Sequence, residues 1–239
     1  MGRIKRYSTA LSRHHRSRGF GIHSPFAFYF VRHVLREQLP YYCYEEIDNL
    51  RSAVVQSILD VKNHPRVVAF KELKMIFRIV NYFNPQYLLQ VGTNYGLTAT
   101  SMLGVSSSNR MWLYEPYVES IPVLSYVLAP NIERIECYNQ LDVAVDDYCG
   151  NLADGDLQFV LVNSIPNPED YEPLKSKLDE MLTEECVIVL RNIHRIDLMK
   201  QLWEHLKSHM KYGQSFTNEK TAVLVVQNKY NVEHFFLWF

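Results

Sequence analysis

Two rhythms divide the chain. From residue 86 onward, short apolar runs alternate with longer amphipathic stretches. The runs at 87–91, 111–114, 132–137, 157–162, 186–190 and 221–226 read as strands. Helical patterns lie between them near 97–104, 118–128, 140–148, 169–182 and 195–210. Short apolar strands separated by helices predict an α/β fold, a mostly parallel sheet covered on both faces. Before residue 86 the pattern is helical only. Ser24 is a suitable N-cap and Pro25 suits the first helical position. A helix over 25–36 follows, with Phe26, Phe30, Val31 and Val34 on one face, and Leu39-Pro40 ends it. Helices over 44–61 and 69–82 complete an N-terminal helical cap. The aromatic segment 233–239 reads as a last strand or as an aromatic contact surface.

The most informative stretch joins two of these strands. The run Tyr87-Leu-Leu-Gln-Val91 ends in Gly92-Thr-Asn-Tyr-Gly96, and the next run, Met111-Trp-Leu-Tyr114, ends in Glu115, 23 residues after Gly92. A glycine turn between strand and helix lets backbone N–H groups approach a ligand. A lone carboxylate at the end of the following strand can accept both hydroxyls of a ribose. The alternative for Glu115 is a cap on a helix starting near Pro116. The glycine spacing is not the GxGxxG of dinucleotide binders, which disfavours a nicotinamide dehydrogenase.

Composition narrows the picture. The chain of 239 residues is 47% hydrophobic, ample for one core with a terminal extension. It has no apolar run long enough for a membrane span, and its charged start lacks the apolar core of a secretory signal. The net charge of −1 hides an asymmetry: residues 1–18 carry six Lys/Arg and no acid, against 19 Lys/Arg and 26 Asp/Glu in the remainder. That basic arm either touches phosphate or is a solvated or self-docking arm. Cys43, Cys137, Cys149 and Cys186 have no CxxC spacing, so neither zinc nor a disulfide framework is expected, and a reducing cytoplasm fits.

Residues 86–227 resemble the class I S-adenosylmethionine-dependent methyltransferases, nearest the small-molecule O-methyltransferases of the catechol type. The resemblance rests on Leu89-Gln-Val-Gly-Thr-Asn-Tyr-Gly-Leu-Thr98, Tyr114-Glu115, Phe159-Val-Leu-Val-Asn163 with Tyr171-Glu-Pro-Leu174, and Val187-Ile-Val-Leu-Arg-Asn-Ile-His194 with Trp203. The opening Gly21-Ile-His-Ser-Pro-Phe26 is also similar to bacterial proteins of this group. The resemblance implies a Rossmann-like seven-stranded sheet with its last strand antiparallel. The expected organisation is a basic arm at 1–18, a helical cap at 19–85 and a Rossmann-like methyltransferase-type domain at 86–239. The resemblance also implies S-adenosylmethionine as cofactor, held by Gln90, Gly92, Thr93, Asn94, Gly96 and Glu115, with Asn139 near the adenine.

Three positions depart from that pattern. The acid before the loop is Gln90, the acid after the fourth strand is Asn163, and the acidic pair after the fifth strand is Arg191-Asn192. The family's metal-dependent members hold Mg²⁺ there. Hard cations prefer anionic oxygens, and Arg191 would repel a dication by about 8 kcal/mol at ~4 Å and an effective dielectric near 20. No metal is therefore expected at these positions, unless Asp170 or Glu169 of the neighbouring loop is recruited to hold one. Methyl transfer then needs a base, for which His194 is the best placed by sequence; a helix cap is its alternative role. Arg191 binds an anionic substrate or forms a surface ion pair. Asn163 completes the candidate catalytic set. His23 is a cleft residue or a structural histidine, and Tyr171 and Trp203 read as helix packing.

Two functions compete. One is a metal-independent methyltransferase acting on a small hydroxylated or anionic molecule. The other is a catalytically inactive frame that binds a ligand or a partner. The expected partner is a small molecule, with no membrane; nucleic acid would enter only through the basic arm, and a homo-oligomer stays open.

Overall fold

The computed structural model describes residues 19, 21–59, 66–118, 121 and 123–239. The basic arm lies outside these residues, as do residues 60–61; the helix expected over 44–61 ends at Ser57, with Ile58 as its C-cap. Among the described residues three helices precede the sheet. Helix α1 (Pro25–Phe30) opens on Ser24, whose Oγ accepts from the Ala27 N–H at 3.2 Å, and continues as a π-helical turn, Val31–Leu35. Helices α2 (Cys43–Ser57) and α3 (Phe70–Phe83) follow. Buried Arg78 on α3 donates to Val34 O at 2.6 Å and Leu35 O at 2.9 Å. A cation at orphan carbonyls of a helix end is well placed, and it fastens α1 to α3.

The strands are β1 (Tyr87–Val91), β2 (Arg110–Tyr114), β3 (Ile135–Tyr138), β4 (Gln158–Val162), β5 (Cys186–Arg191), β6 (Gln214–Thr217), β7 (Thr221–Val226) and β8 (Glu233–Phe236). Helices α4 (Leu97–Leu103), α5 (Leu124–Leu128), α6 (Leu141–Asn151), α7 (Tyr171–Met181) and α8 (Asp197–His209) connect them. The sheet order is β3-β2-β1-β4-β5-β7-β6-β8. The sheet is mostly parallel, and only β7 runs against its neighbours β5 and β6.

The expected seven strands are therefore eight among the described residues. The unforeseen strand is β6, Gln-Ser-Phe-Thr, whose polar residues masked it. The antiparallel strand is the seventh, and the aromatic C-terminal segment adds β8 in parallel to β6. The third strand begins at Ile135 because residues 129–134 form a 3-10 helix.

Strand alternation explains the two cores. Leu88, Met111, Leu113, Phe159, Val187 and Val223 face one side, packing with Phe30, Ile76 and Met102 of the N-terminal helices and α4. Leu89, Trp112, Val160, Ile188 and Leu224 face the other, against Tyr148, Leu178 and Leu206 of α6, α7 and α8. Trp203 is buried and Tyr171 partly so in this second cluster, where both pack as part of their helices. The parallel register brings the carboxyl ends of β1, β2, β4 and β5 to one edge, where the candidate residues gather.

Candidate functional site

The loop after β1 carries four left-handed residues within five: Gly92 (φ 74), Asn94 (φ 45), Tyr95 (φ 61) and Gly96 (φ 77). A non-glycine residue there costs roughly 1–2 kcal/mol, so Asn94 and Tyr95 need compensation. Tyr95 is buried. The Asn94 side chain donates to Arg66 O at 3.1 Å and accepts from Val68 N at 3.2 Å. Asn94, expected at the cofactor, thus spends its amide tying the loop to the segment before α3. Gly92 has a steric role as well: a Cβ there would sit 2.8 Å from Ser164 Oγ and 3.0 Å from Ser164 O.

Glu115 follows β2 and is 8% exposed. Its Oε2 accepts from the Thr93 N–H at 3.1 Å and the Thr93 hydroxyl at 3.2 Å, and its Oε1 from the Tyr117 N–H at 3.3 Å. A carboxylate has about four acceptor sites, so one is open, and rotation of the Thr93 hydroxyl frees a second. Glu115, Tyr117, Tyr138 and the exposed Asn139 line one groove. Across its rim the Tyr117 hydroxyl donates to Asn167 Oδ1 at 2.6 Å, and the Asn167 amide donates to the Tyr114 hydroxyl at 3.3 Å. The Tyr114 hydroxyl donates to Asp170. Burial, then this acceptor, push the Tyr114 phenol well up.

The three departures form one connected network. Gly92 O accepts from the Gln90 amide at 2.9 Å and from the Asn163 amide at 2.7 Å. Both lone pairs of that buried carbonyl are used, and a carboxylate at either position would bring no proton to it. The amides at 90 and 163 are thus matched to this loop. Asn163 also donates to Thr98 Oγ1 at 2.9 Å, while its Oδ1 accepts from Arg191 Nη1 at 2.6 Å. Asn192, left-handed at φ 59, donates to Asn163 O at 3.0 Å. Gln90 Oε1 is buried without a partner among the described residues.

Arg191 is 3% exposed, so the surface ion pair anticipated for it is a buried one. Its Nε and Nη2 donate to the two carboxylate oxygens of Glu72 on α3, at 2.9 and 3.0 Å. The Thr221 hydroxyl adds a bond to Glu72 at 2.9 Å. Burial alone would raise the Glu72 carboxyl, but the Arg191 charge and these hydrogen bonds outweigh it and hold the carboxyl below its ordinary value. Glu72 escaped the sequence reading because an acid in the first turn of a helix ordinarily answers the helix dipole.

A cleft of about 170 Å³ lies between the start of α3 and the ends of β5 and β7, lined by Lys71, Glu72, Arg191, Asn192, His194 and Lys220 among others. It shares no lining residue with the Glu115 groove. His194 is exposed, and its Nε2 accepts from Arg195 Nε at 3.2 Å. Desolvation of the ring, then the charges of Arg195 and Lys220, hold the imidazole below its ordinary value. His23 is exposed at the start of α1 and lines neither space. The structure therefore joins Gln90, Gly92, Asn163 and Arg191 directly, joins Thr93 to Glu115, and sets Asn139 in the Glu115 groove and His194 in the other cleft. All four cysteines are free thiols. Among the described residues no three His, Cys, Asp or Glu side chains are grouped to hold a metal, and no helix is long and apolar enough to cross a membrane.

Solved structures share this architecture at low identity. An O-methyltransferase from Bacillus cereus, in complex with SAH, matches with a TM-score of 0.55 and 15% identity over 83% of this chain and 96% of its own. A methyltransferase from Geobacter sulfurreducens matches at 0.56 and 17%, over 79% and 93%. The O-methyltransferase TomG from Streptomyces achromogenes, involved in tomaymycin synthesis and in complex with SAM, matches at 0.54 and 14%, over 83% and 95%. No protein-family model and no curated protein matches the chain. The likeness is one of fold: the chain has the Rossmann-like, O-methyltransferase-like fold of the class I methyltransferases.

Proposed function

We propose that this protein binds S-adenosylmethionine and transfers its methyl group to a small hydroxylated or anionic molecule without a metal ion. The observation that carries the reading is Glu115, a nearly buried carboxylate beside the strained glycine loop, with an acceptor site open toward a groove. The residues fit the cofactor in a second respect. The unpartnered Gln90 Oε1 is a vacant buried acceptor, the group that a ligand ammonium would satisfy. The two solved neighbours with SAH or SAM lend support through their shared fold.

S-adenosylmethionine supplies an electrophilic methyl group on a sulfonium. Glu115 would hold the ribose, Asn139 would border the adenine side, and Gly92 would permit close backbone approach. An acceptor oxygen that took the methyl group would have to lose its proton. His194 Nε2 is the atom to take it, once Arg195 swings aside; an imidazole held below its ordinary pKa is neutral and ready at neutral pH. Arg191, neutralised by Glu72, fixes Asn163 rather than gripping a substrate. Metal independence is supported by the donor set, because the one Asn163 oxygen available to a cation already holds the Arg191 guanidinium.

A second reading, a frame that binds without catalysis, is favoured by one observation. The Glu115 groove and the His194 cleft share no lining residue, which sets the candidate base apart from the candidate ribose carboxylate. The test is methyl transfer from labelled S-adenosylmethionine to a panel of small phenols and carboxylic acids, with EDTA and with added Mg²⁺. Transfer in EDTA that His194→Gln slows by about 10²–10⁴ supports the first reading. Turnover only with Mg²⁺ overturns metal independence. Cofactor binding without transfer selects the second.

A further inference from the structure

The cleft above α3 has a charge that its role as a generic pocket does not explain. Five cationic side chains line it, Arg66, Lys71, Arg191, Arg195 and Lys220, against the single carboxylate side chain of Glu72. Glu72 is spent on Arg191, which it grips with both oxygens. Among the described residues the other four cations form no ion pair with a carboxylate. Four like charges around about 170 Å³ repel one another. The Lys71 ammonium is depressed mainly by burial and then by Arg36 and Arg78 outside the cleft lining, with Lys220 of the collar adding to it; the His194 imidazole is depressed by desolvation first, then by Arg195 and Lys220, against Glu219 and Glu72. The first turn of α3 opens into the same cleft with no side-chain cap on Ala69, so its free N–H groups add positive potential. Val67, Val68, Met75 and Phe239 give the wall an apolar part, beside the polar side chains of Asn192, Asn218 and Thr221. The segment bearing Arg66 is held by the Asn94 amide, so this collar is fixed to the β1 loop.

We infer that this cleft binds a small organic anion, one carboxylate or phosphate on a compact apolar body, with Lys71, Lys220, Arg66 and Arg195 as its collar. As the methyl acceptor's site this rests on the reading above; as an anion site it stands alone. The anion offsets the mutual repulsion of the collar, while its apolar body meets Val67 and Met75. The volume, against roughly 30 Å³ per water, suits a single-ring molecule better than a nucleotide.

The test is calorimetric titration of the whole protein with benzoate, phenyl phosphate and neutral benzamide, without cofactor. Lys71→Glu and Lys220→Glu reverse exposed charges at the cleft, and Lys211→Glu makes the same change on an exposed residue elsewhere. The expected result is binding of one or both anions, with benzamide about tenfold or more weaker, the range a charged hydrogen bond spans. Each cleft reversal should weaken the anion by about tenfold, while Lys211→Glu leaves it unchanged. The preferred anion identifies carboxylate or phosphate. Equal binding of benzamide, an equal effect of Lys211→Glu, or no anion binding at millimolar concentration overturns the inference. A parallel S-adenosylmethionine titration separates the two claims. Anion binding without cofactor binding keeps the site and removes the methyltransferase reading; cofactor binding without anion binding does the reverse.

Discussion

Glu72→Gln isolates the charge on which the centre of the site depends. The substitution keeps the shape of the side chain and leaves Arg191, 3% exposed, without its counter-ion. Removing one partner of a buried pair costs about 3–5 kcal/mol, because the remaining charge is stranded. The Glu72 side chain is 23% exposed, so water reaches the pair and the lower end applies, about 3 kcal/mol. For a chain of this size that is roughly 6–12 °C in Tm. The assay is urea and thermal unfolding of wild type, Glu72→Gln, Arg191→Met and the double variant. The double variant removes both charges and should recover at least half of the Glu72→Gln loss. The pH dependence has a definite sign. The Glu72 carboxyl is held below its ordinary value of 4.5, so its contribution is complete above that pH and vanishes as pH falls through the lower folded value. The gap between wild type and Glu72→Gln should be constant from neutral pH to about 4.5 and close only below it. A loss under about 1 kcal/mol, typical of an exposed pair, or strictly additive losses in the double variant, would refute a buried, coupled pair.

Three further outcomes follow from the same network. Gln90→Glu replaces a donor to Gly92 O with a carboxylate in a fully buried position, and should cost about 1–3 kcal/mol. Its cost should grow as pH rises above the ordinary carboxyl range, because the protonated acid can still donate; a pH-independent cost in urea unfolding would contradict the assignment. Gly92→Ala forces a left-handed alanine at φ 74 into the Ser164 backbone, and should destabilise by more than the roughly 1–2 kcal/mol of left-handed strain alone, read as a lower unfolding midpoint. Arg195→Gln removes a charge that depresses His194, so the His194 ring, followed by NMR, should titrate higher than in wild type; an unchanged midpoint would place Arg195 away from the ring.

Much of this architecture was legible because its signals are local. The apolar runs of β1, β4, β5 and β7 announce strands buried on both faces, and the Ser24-Pro25 start is realised as a capped helix. Strand β6 was not legible, since Gln214, Ser215 and Thr217 look polar although the first two are buried and bonded to Glu233 and His234 of β8. Within the site, the chain pattern marked the positions 90, 163 and 191 but gave no partners. Glu72 lies 119 residues from Arg191, and that separation hides the pair from any motif. For the same reason Gln90 and Asn163 read as losses of charge, whereas their convergence on one carbonyl makes each a required donor. Asn94 fitted the ligand loop by position, yet its amide serves the segment before α3.

The most direct test of the central claim is calorimetric titration of the protein with S-adenosylmethionine and S-adenosylhomocysteine, with and without Mg²⁺, alongside Glu115→Ala. The account predicts binding of both ligands, indifference to Mg²⁺, and a loss on Glu115→Ala of about tenfold or more, the worth of one charged hydrogen bond. No binding at millimolar ligand, or binding that Glu115→Ala leaves intact, would contradict it.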